Sequence, residues 1–162
     1  MSNFLSDDLI EKLLDQYVHE KYNASFYLYV AGFLMNKGLN GLAKHFYEQH
    51  SEEVGHSLLI FDFLLDVNTP FKVNAIDAID FPINTITDIA EKYYEREVAT
   101  TEDLEEELAQ AEKDGNGIAT ELLRQMVDKQ RNEMKEVFDF QDNANLCGDD
   151  WYKVKVWSDS IL

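Results

Sequence analysis

Apolar positions recur at threes and fours along four long stretches of this chain, the period of an amphipathic helix. The first stretch follows Ile10, Leu13, Tyr17, Glu20, Ala24, Tyr27, Ala31 and Leu34, and stops at Gly38 and Gly41. Ser6 ahead of Asp7 and Asp8 marks its start, a hydroxyl N-cap followed by negative charge in the first turn. The second follows Leu42, Phe46, Glu53, His56, Ile60, Phe63 and Val67, interrupted by Gln49 and ending at Asn68-Thr69-Pro70. Residues 71–84, with Pro82, hold no sustained period and read as a long crossover, which makes the next helix run parallel to the second. The third stretch follows Ile86, Ala90, Tyr93, Glu97, Thr100, Leu104 and Leu108, and ends at Asp114-Gly115-Asn116-Gly117. The fourth follows Ala119, Leu123, Met126, Gln130, Glu133, Val137, Phe140 and Ala144. Beyond Gly148, the tail with Trp151 and Trp157 suits a strand or a short helix, and a short helix packed on the bundle or on a neighbour is the expectation. The pattern predicts an all-α fold: a four-helix bundle with one long crossover between the second and third helices and a short C-terminal fifth helix. At 162 residues, a single domain over 1–162 is expected.

Charge narrows the choice of partner. A formal net charge of -18 argues against electrostatic affinity for nucleic acid or anionic lipid and favours cations or basic partners. The most apolar stretch, Ala24 to Met35, is about half of the ~20 residues a membrane span needs, and Met1 to Asp8 hold no basic leader region. A soluble, cytoplasmic protein is expected. Cys147 is the single cysteine, so no internal disulfide forms; it sits in a turn-like Leu-Cys-Gly context and reads as an inert thiol in a reducing compartment.

The candidate chemistry lies in the polar residues that interrupt the four stripes. Glu53 and His56 stand 33 and 36 positions after Glu20, and Gln130 and Glu133 stand 33 and 36 positions after Glu97. Each half of the chain is thus a helical hairpin with one carboxylate on its first helix and a pair one turn apart on its second. Counted from the hairpin turns, all six lie roughly 12–17 residues deep, so at about 1.5 Å per residue they converge near one level. Four carboxylates in an apolar interior repel one another strongly, and two divalent cations remove the conflict. One imidazole among oxygen donors suits iron, with manganese or zinc possible, and argues against thiolate-selected metals. Gln-x-x-Glu opposite Glu-x-x-His makes the two metal positions unequal.

Taken singly, each feature has a plainer reading. A Glu-x-x-His pair on a helix is usually a solvated surface pair, and a mid-stripe glutamate is usually a misjudged stripe edge. The repeat across four helices carries the metal reading. His19, His45 and His50 have no comparable partners, so solvated or capping roles are expected; Glu102, Asp103, Glu105, Glu106 and Glu107 read as a solvated face.

These residues resemble the bacterial non-haem ferritins from about Leu9 to the C-terminal tail. The resemblance is carried by His19-Glu20-Lys21-Tyr22 with Tyr27, Glu52-Glu53-x-x-His56, Tyr94-Glu95-Arg96-Glu97 and Gln130-x-x-Glu133. It implies a hollow shell of 24 identical subunits, each with a haem-free di-iron ferroxidase centre that oxidises Fe(II) with dioxygen and stores ferric oxyhydroxide. Carried over by position, Glu20 and His56 hold the first iron, Glu53 bridges, and Glu97 completes the second site with Gln130 or Glu133. Tyr27 stands beside the centre as hydrogen-bond donor or electron source. A third iron site matching Glu52 is predicted absent or weak, because Lys129 and Asn132 stand where relatives carry glutamates. Rubrerythrins and bacterioferritins fit less well, since they have Glu-x-x-His on the fourth helix. Asp114 and Glu121 are pore candidates. Two other readings stay open: a non-catalytic shell subunit with a vacant or zinc-filled site, and a di-metal oxidase or peroxidase acting on a small substrate.

Overall fold

The computed structural model describes residues 3–162; Met1 and Ser2, the start of the stretch read as lacking a leader, lie outside the described residues. Five helices follow in order: α1 (Asp7–Asn36), α2 (Asn40–Asp66), α3 (Ile86–Lys113), α4 (Gly117–Cys147) and α5 (Trp151–Ser160). None of them is long and apolar enough to cross a membrane.

Helix starts follow local chemistry. Ser6 caps α1 by accepting from the Leu9 amide, and Thr85 with Asp88 forms a capping box at the start of α3. The α2 terminus is capped from elsewhere: Leu39 offers no side-chain acceptor, and the Leu42 amide instead donates to Ser158 Oγ of α5 at 3.1 Å. Gly41, read from sequence as part of a helix stop, lies inside α2, and a Cβ there would stand 2.0 Å from the Ser158 carbonyl. Its role is close approach to α5, whereas Gly38, with φ +76, makes the turn.

The direction of the helices is set by contacts between their ends. Ser6 Oγ donates to Asp114 at the end of α3, and Asn116 Nδ2 donates to the Phe4 carbonyl at 3.2 Å. The start of α1 thus meets the end of α3, so α1 and α3 are antiparallel, and α2, antiparallel to α1, runs parallel to α3. The connection over residues 67–84 is extended: Phe71 packs edge-on against Tyr17 and Phe61, and Phe81 against Phe26 further along α1. Tyr29 fixes it by donating to the Phe81 carbonyl at 2.7 Å.

The apolar core is divided. One cluster centres on Phe26, Tyr27, Phe46, Tyr93 and Phe140; the other on Leu9, Leu13, Ile60, Leu64, Leu104 and Leu123. The polar interruptions of the four stripes lie between them. Several stripes are displaced from their sequence positions: Ile10, Tyr17 and Leu108 are half-buried, while Leu9, Gln16 and Glu107 are buried. α5 docks with buried Val154 and with Trp157 against Phe140. Cys147 is the last residue of α4 and is buried rather than in a turn.

Candidate metal centre

The middle of the bundle buries Glu20 and Glu97 completely, and leaves Glu53, Gln130 and Glu133 only 1%, 3% and 7% exposed. His56 keeps 17% of its side chain accessible. Glu20, Glu53 and His56 each offer a ligand atom within 4.8 Å of the others, the one such group of three among the described residues. His56 Nδ1 lies 3.8 Å from Glu20 Oε2 and 3.6 Å from Glu53 Oε2. Neither of those oxygens, nor Glu133 Oε2, has a hydrogen-bond partner. Buried oxygens without donors are costly, and a cation satisfies several of them together. By donor type and by these orphaned atoms, the residues present fit a divalent metal.

The other half is arranged differently. Tyr27 donates to Glu97 Oε1, and Gln130 Nε2 donates to Glu97 Oε2 at 2.7 Å and to the Glu97 carbonyl at 3.2 Å. Both carboxylate oxygens of Glu97 are therefore taken, and Gln130 presents its amide nitrogen rather than its oxygen. Glu133 faces Glu52 instead of joining the group of three.

Protonation follows from this packing. Burial pushes Glu53 well above the usual carboxylate range, and the Glu20 charge adds to it. Burial acts on Glu20 in the same direction, but the neighbouring Glu53 carboxyl and the His56 imidazole outweigh it and hold Glu20 down at about 2. Burial would lower His56, but the Glu20 carboxylate beside it raises it. Glu133 is pushed up to about 10 by burial and by the neighbouring Glu52 carboxyl. Glu97 is also raised by burial, against the hydrogen bonds from Tyr27 and Gln130. Without a cation, the cluster relieves its repulsion by holding protons.

Glu52, Lys129 and Asn132 are all exposed. Lys129 lines a narrow crevice with Glu20, His56 and Gln130. Of the pore candidates, Asp114 is tied to Ser6 and to Gln110, and Glu121 is exposed.

The remaining histidines correct their sequence expectation, since none is a solvated side chain. His19 Nε2 donates to Thr100 Oγ1 at 2.6 Å while its Nδ1 accepts from Arg96, which also donates to Asn23. Burial, and then the Arg96 charge, lower His19 to about 4. His50 Nδ1 donates to the Ala24 carbonyl at 2.7 Å, and His45 packs among Phe46, Tyr93 and Phe140. The acidic run is likewise not wholly solvated: Glu107 is 3% exposed, its Oε2 is unpartnered, and burial pushes it up to about 9. Sequence reading missed Gln16, whose amide donates to Glu20 Oε1 at 2.7 Å. Its only signal was its place one turn before Glu20.

A family model of the ferritin-like domain matches residues 10–147. The chain is 25% identical over 146 residues to a probable bacterial non-heme ferritin-like protein of Haemophilus influenzae, covering 90% of this chain and 88% of that one. It is 27% identical over 146 residues to a bacterial non-heme ferritin of Staphylococcus haemolyticus, with the same coverage of 90% and 88%. Among solved structures, an open pore ferritin from Archaeoglobus fulgidus overlays with a TM-score of 0.91 at 24% identity, covering 98% of this chain and 96% of that one.

Proposed function

This chain belongs to the ferritin-like domain family, and within it we propose an iron-storage ferritin that oxidises Fe(II) with dioxygen inside each subunit. The carrying observation is the convergence of Glu20, Glu53 and His56, with Oε2 of each carboxylate buried and without a donor. Fe(II) is the substrate. Glu20 and His56 hold the first ion, Glu53 bridges, and Glu97 with Glu133 or Gln130 receives the second. As cations bind, Glu53 and Glu133 release the protons that burial makes them keep. Carboxylate donors favour Fe(III) over Fe(II), so oxidation is driven forward. Two Fe(II) ions supply the two electrons that, with two protons, turn dioxygen into hydrogen peroxide. Tyr27, hydrogen-bonded to Glu97, orients that carboxylate or, where iron supplies too few electrons, serves as an electron source. The ferric product hydrolyses and is stored as oxyhydroxide in a shell of identical subunits, 24 by resemblance, in the cytoplasm.

The test is aerobic Fe(II) addition to the assembled protein, followed by absorbance. Fast oxidation that falls by roughly a hundredfold in Glu53→Ala supports the reading; equal rates in the two proteins overturn it. One observation favours the non-catalytic shell subunit instead: both oxygens of Glu97 are already engaged. Under that reading, titration saturates at one ion per subunit and no fast phase appears.

A further inference from the structure

Behind Tyr27 stands a second phenol with its own base. Tyr93 is fully buried, its ring 5.5 Å from that of Tyr27 in an edge-on contact. The Tyr93 hydroxyl lies 3.4 Å from His45 Nε2. Phe140 packs 5.6 Å from Tyr93 on one side and 5.0 Å from Trp157 on the other. Trp157 is half-buried at the edge of the bundle, on α5. The metal site is thus joined to the surface by Tyr27, Tyr93 and Trp157, with Phe140, which is not readily oxidised, as the bridge.

From this geometry we propose that Tyr93 and His45 form a proton-coupled redox unit that carries oxidising equivalents from Tyr27 to Trp157. The proposal rests on the ferroxidase reading, since the oxidant is hydrogen peroxide meeting a centre that holds a single Fe(II). Reduction of the peroxide to two waters takes two electrons and two protons; Fe(II) supplies one electron and Tyr27 the other, the two protons come from solvent, and the phenolic proton of Tyr27 passes to Glu97. An electron then moves from Tyr93 to the Tyr27 radical, which recovers its proton from Glu97, while the Tyr93 proton passes to His45 Nε2. Trp157 next reduces Tyr93, His45 returns the proton, and the indole radical loses its own proton to solvent.

The surroundings suit each step. Burial raises Tyr93 well above its usual range, so it is not a phenolate and loses its electron together with a proton. Burial lowers His45, so the imidazole is neutral, and in its Nδ1–H tautomer Nε2 can take the Tyr93 proton. Glu48 and Glu52 lie on the side that stabilises His45 once it is charged. The chain moves damage from buried ligands to an edge residue that solvent reductants reach.

The test treats protein loaded with one Fe(II) per subunit with hydrogen peroxide, reads radicals by freeze-quench electron paramagnetic resonance, and maps oxidised residues by mass spectrometry. Wild type should accumulate oxidised Trp157. In Tyr93→Phe and in His45→Gln that oxidation should fall at least severalfold, and in Trp157→Phe a tyrosyl signal should persist longer. Equal Trp157 oxidation in wild type, Tyr93→Phe and His45→Gln overturns the proposal. A second arm needs no iron. Azide radicals generated in the metal-free Trp151→Phe protein oxidise Trp157. Electron exchange with Tyr93 is reversible and is drawn outward in the first arm by irreversible oxidation of the indole, so part of the Trp157 radical should decay into a tyrosyl band that is missing when Tyr93→Phe is added. A band unaffected by Tyr93→Phe also overturns the proposal. Loss of Fe(II) oxidation in wild type, with this second arm intact, would fault the ferroxidase reading and leave the relay standing.

Discussion

The two halves of the candidate metal centre share one spacing and have opposite hydrogen-bonding states. In the first, Glu20, Glu53 and His56 gather within 4.8 Å, and two of their carboxylate oxygens lack donors. In the second, Glu97 is saturated by Tyr27 and Gln130, and Glu133 turns to Glu52. The difference traces to one position in each helix pair. Glu53 has no donor and must share a proton or a cation with its neighbours. Gln130 carries its own donor and satisfies Glu97 without either. The first half is therefore preorganised for a cation, whereas the second must release two hydrogen bonds before Glu97 can bind one. Under the proposed function, unequal affinity for two cations follows from which group donates, although the spacing of the polar groups is the same in both halves.

The strongest way to break this comparison is to remove one member from each half. His56→Ala should weaken the tighter of two binding steps in a calorimetric titration with a divalent cation. Glu133→Ala should spare that step and weaken only the second, each by roughly ten- to a hundredfold. A smaller effect is expected from Gln130→Glu, which removes the donor that saturates Glu97. The second step should tighten and the gap between the two affinities should narrow; an unchanged gap would show that the glutamine is not what separates the halves.

The weakest effect is on pH dependence. Glu53, Glu107 and Glu133 have folded pKa values above the 4.5 of the unfolded chain, so the fold keeps protons that the unfolded chain has lost. Their contribution is fully present below about pH 4.5 and fades as pH rises towards 9 or 10. His19 is shifted the opposite way, but its effect is confined to pH 4–6.5. Between pH 7 and 9 the metal-free protein should thus lose stability, by up to about 1.4 kcal/mol per pH unit for each such group. Thermal melts across this window test it. A saturating divalent cation should flatten the slope from Glu53 and Glu133 and leave the part due to Glu107.

Much of this was legible along the chain because helical period is a short-range property. Once 3.6 residues make a turn, Glu20, Glu53, Glu97, Gln130 and Glu133 must face inward with the leucines that flank them. The cap at Ser6, the crossover and the fifth helix were equally local signals. What escaped the reading involves a partner far away in sequence. His19 is held by Thr100 and Arg96, and His50 by Ala24; nothing beside either residue announces the contact. Glu107 resembles its exposed neighbours in type and differs only in where α3 turns it.

Gly41 shows the same limit, since as a sequence letter it marks a stop, and only the approach of Ser158 reveals why a side chain is forbidden there. By itself, then, the chain determined its helices, most of their inward-facing positions and the polar groups that interrupt them, since these depend on residue type and spacing. Only the tertiary structure decided which of those groups are left without donors, because a hydrogen bond such as Gln130 to Glu97 or Tyr27 to Glu97 depends on how neighbouring helices rotate against each other.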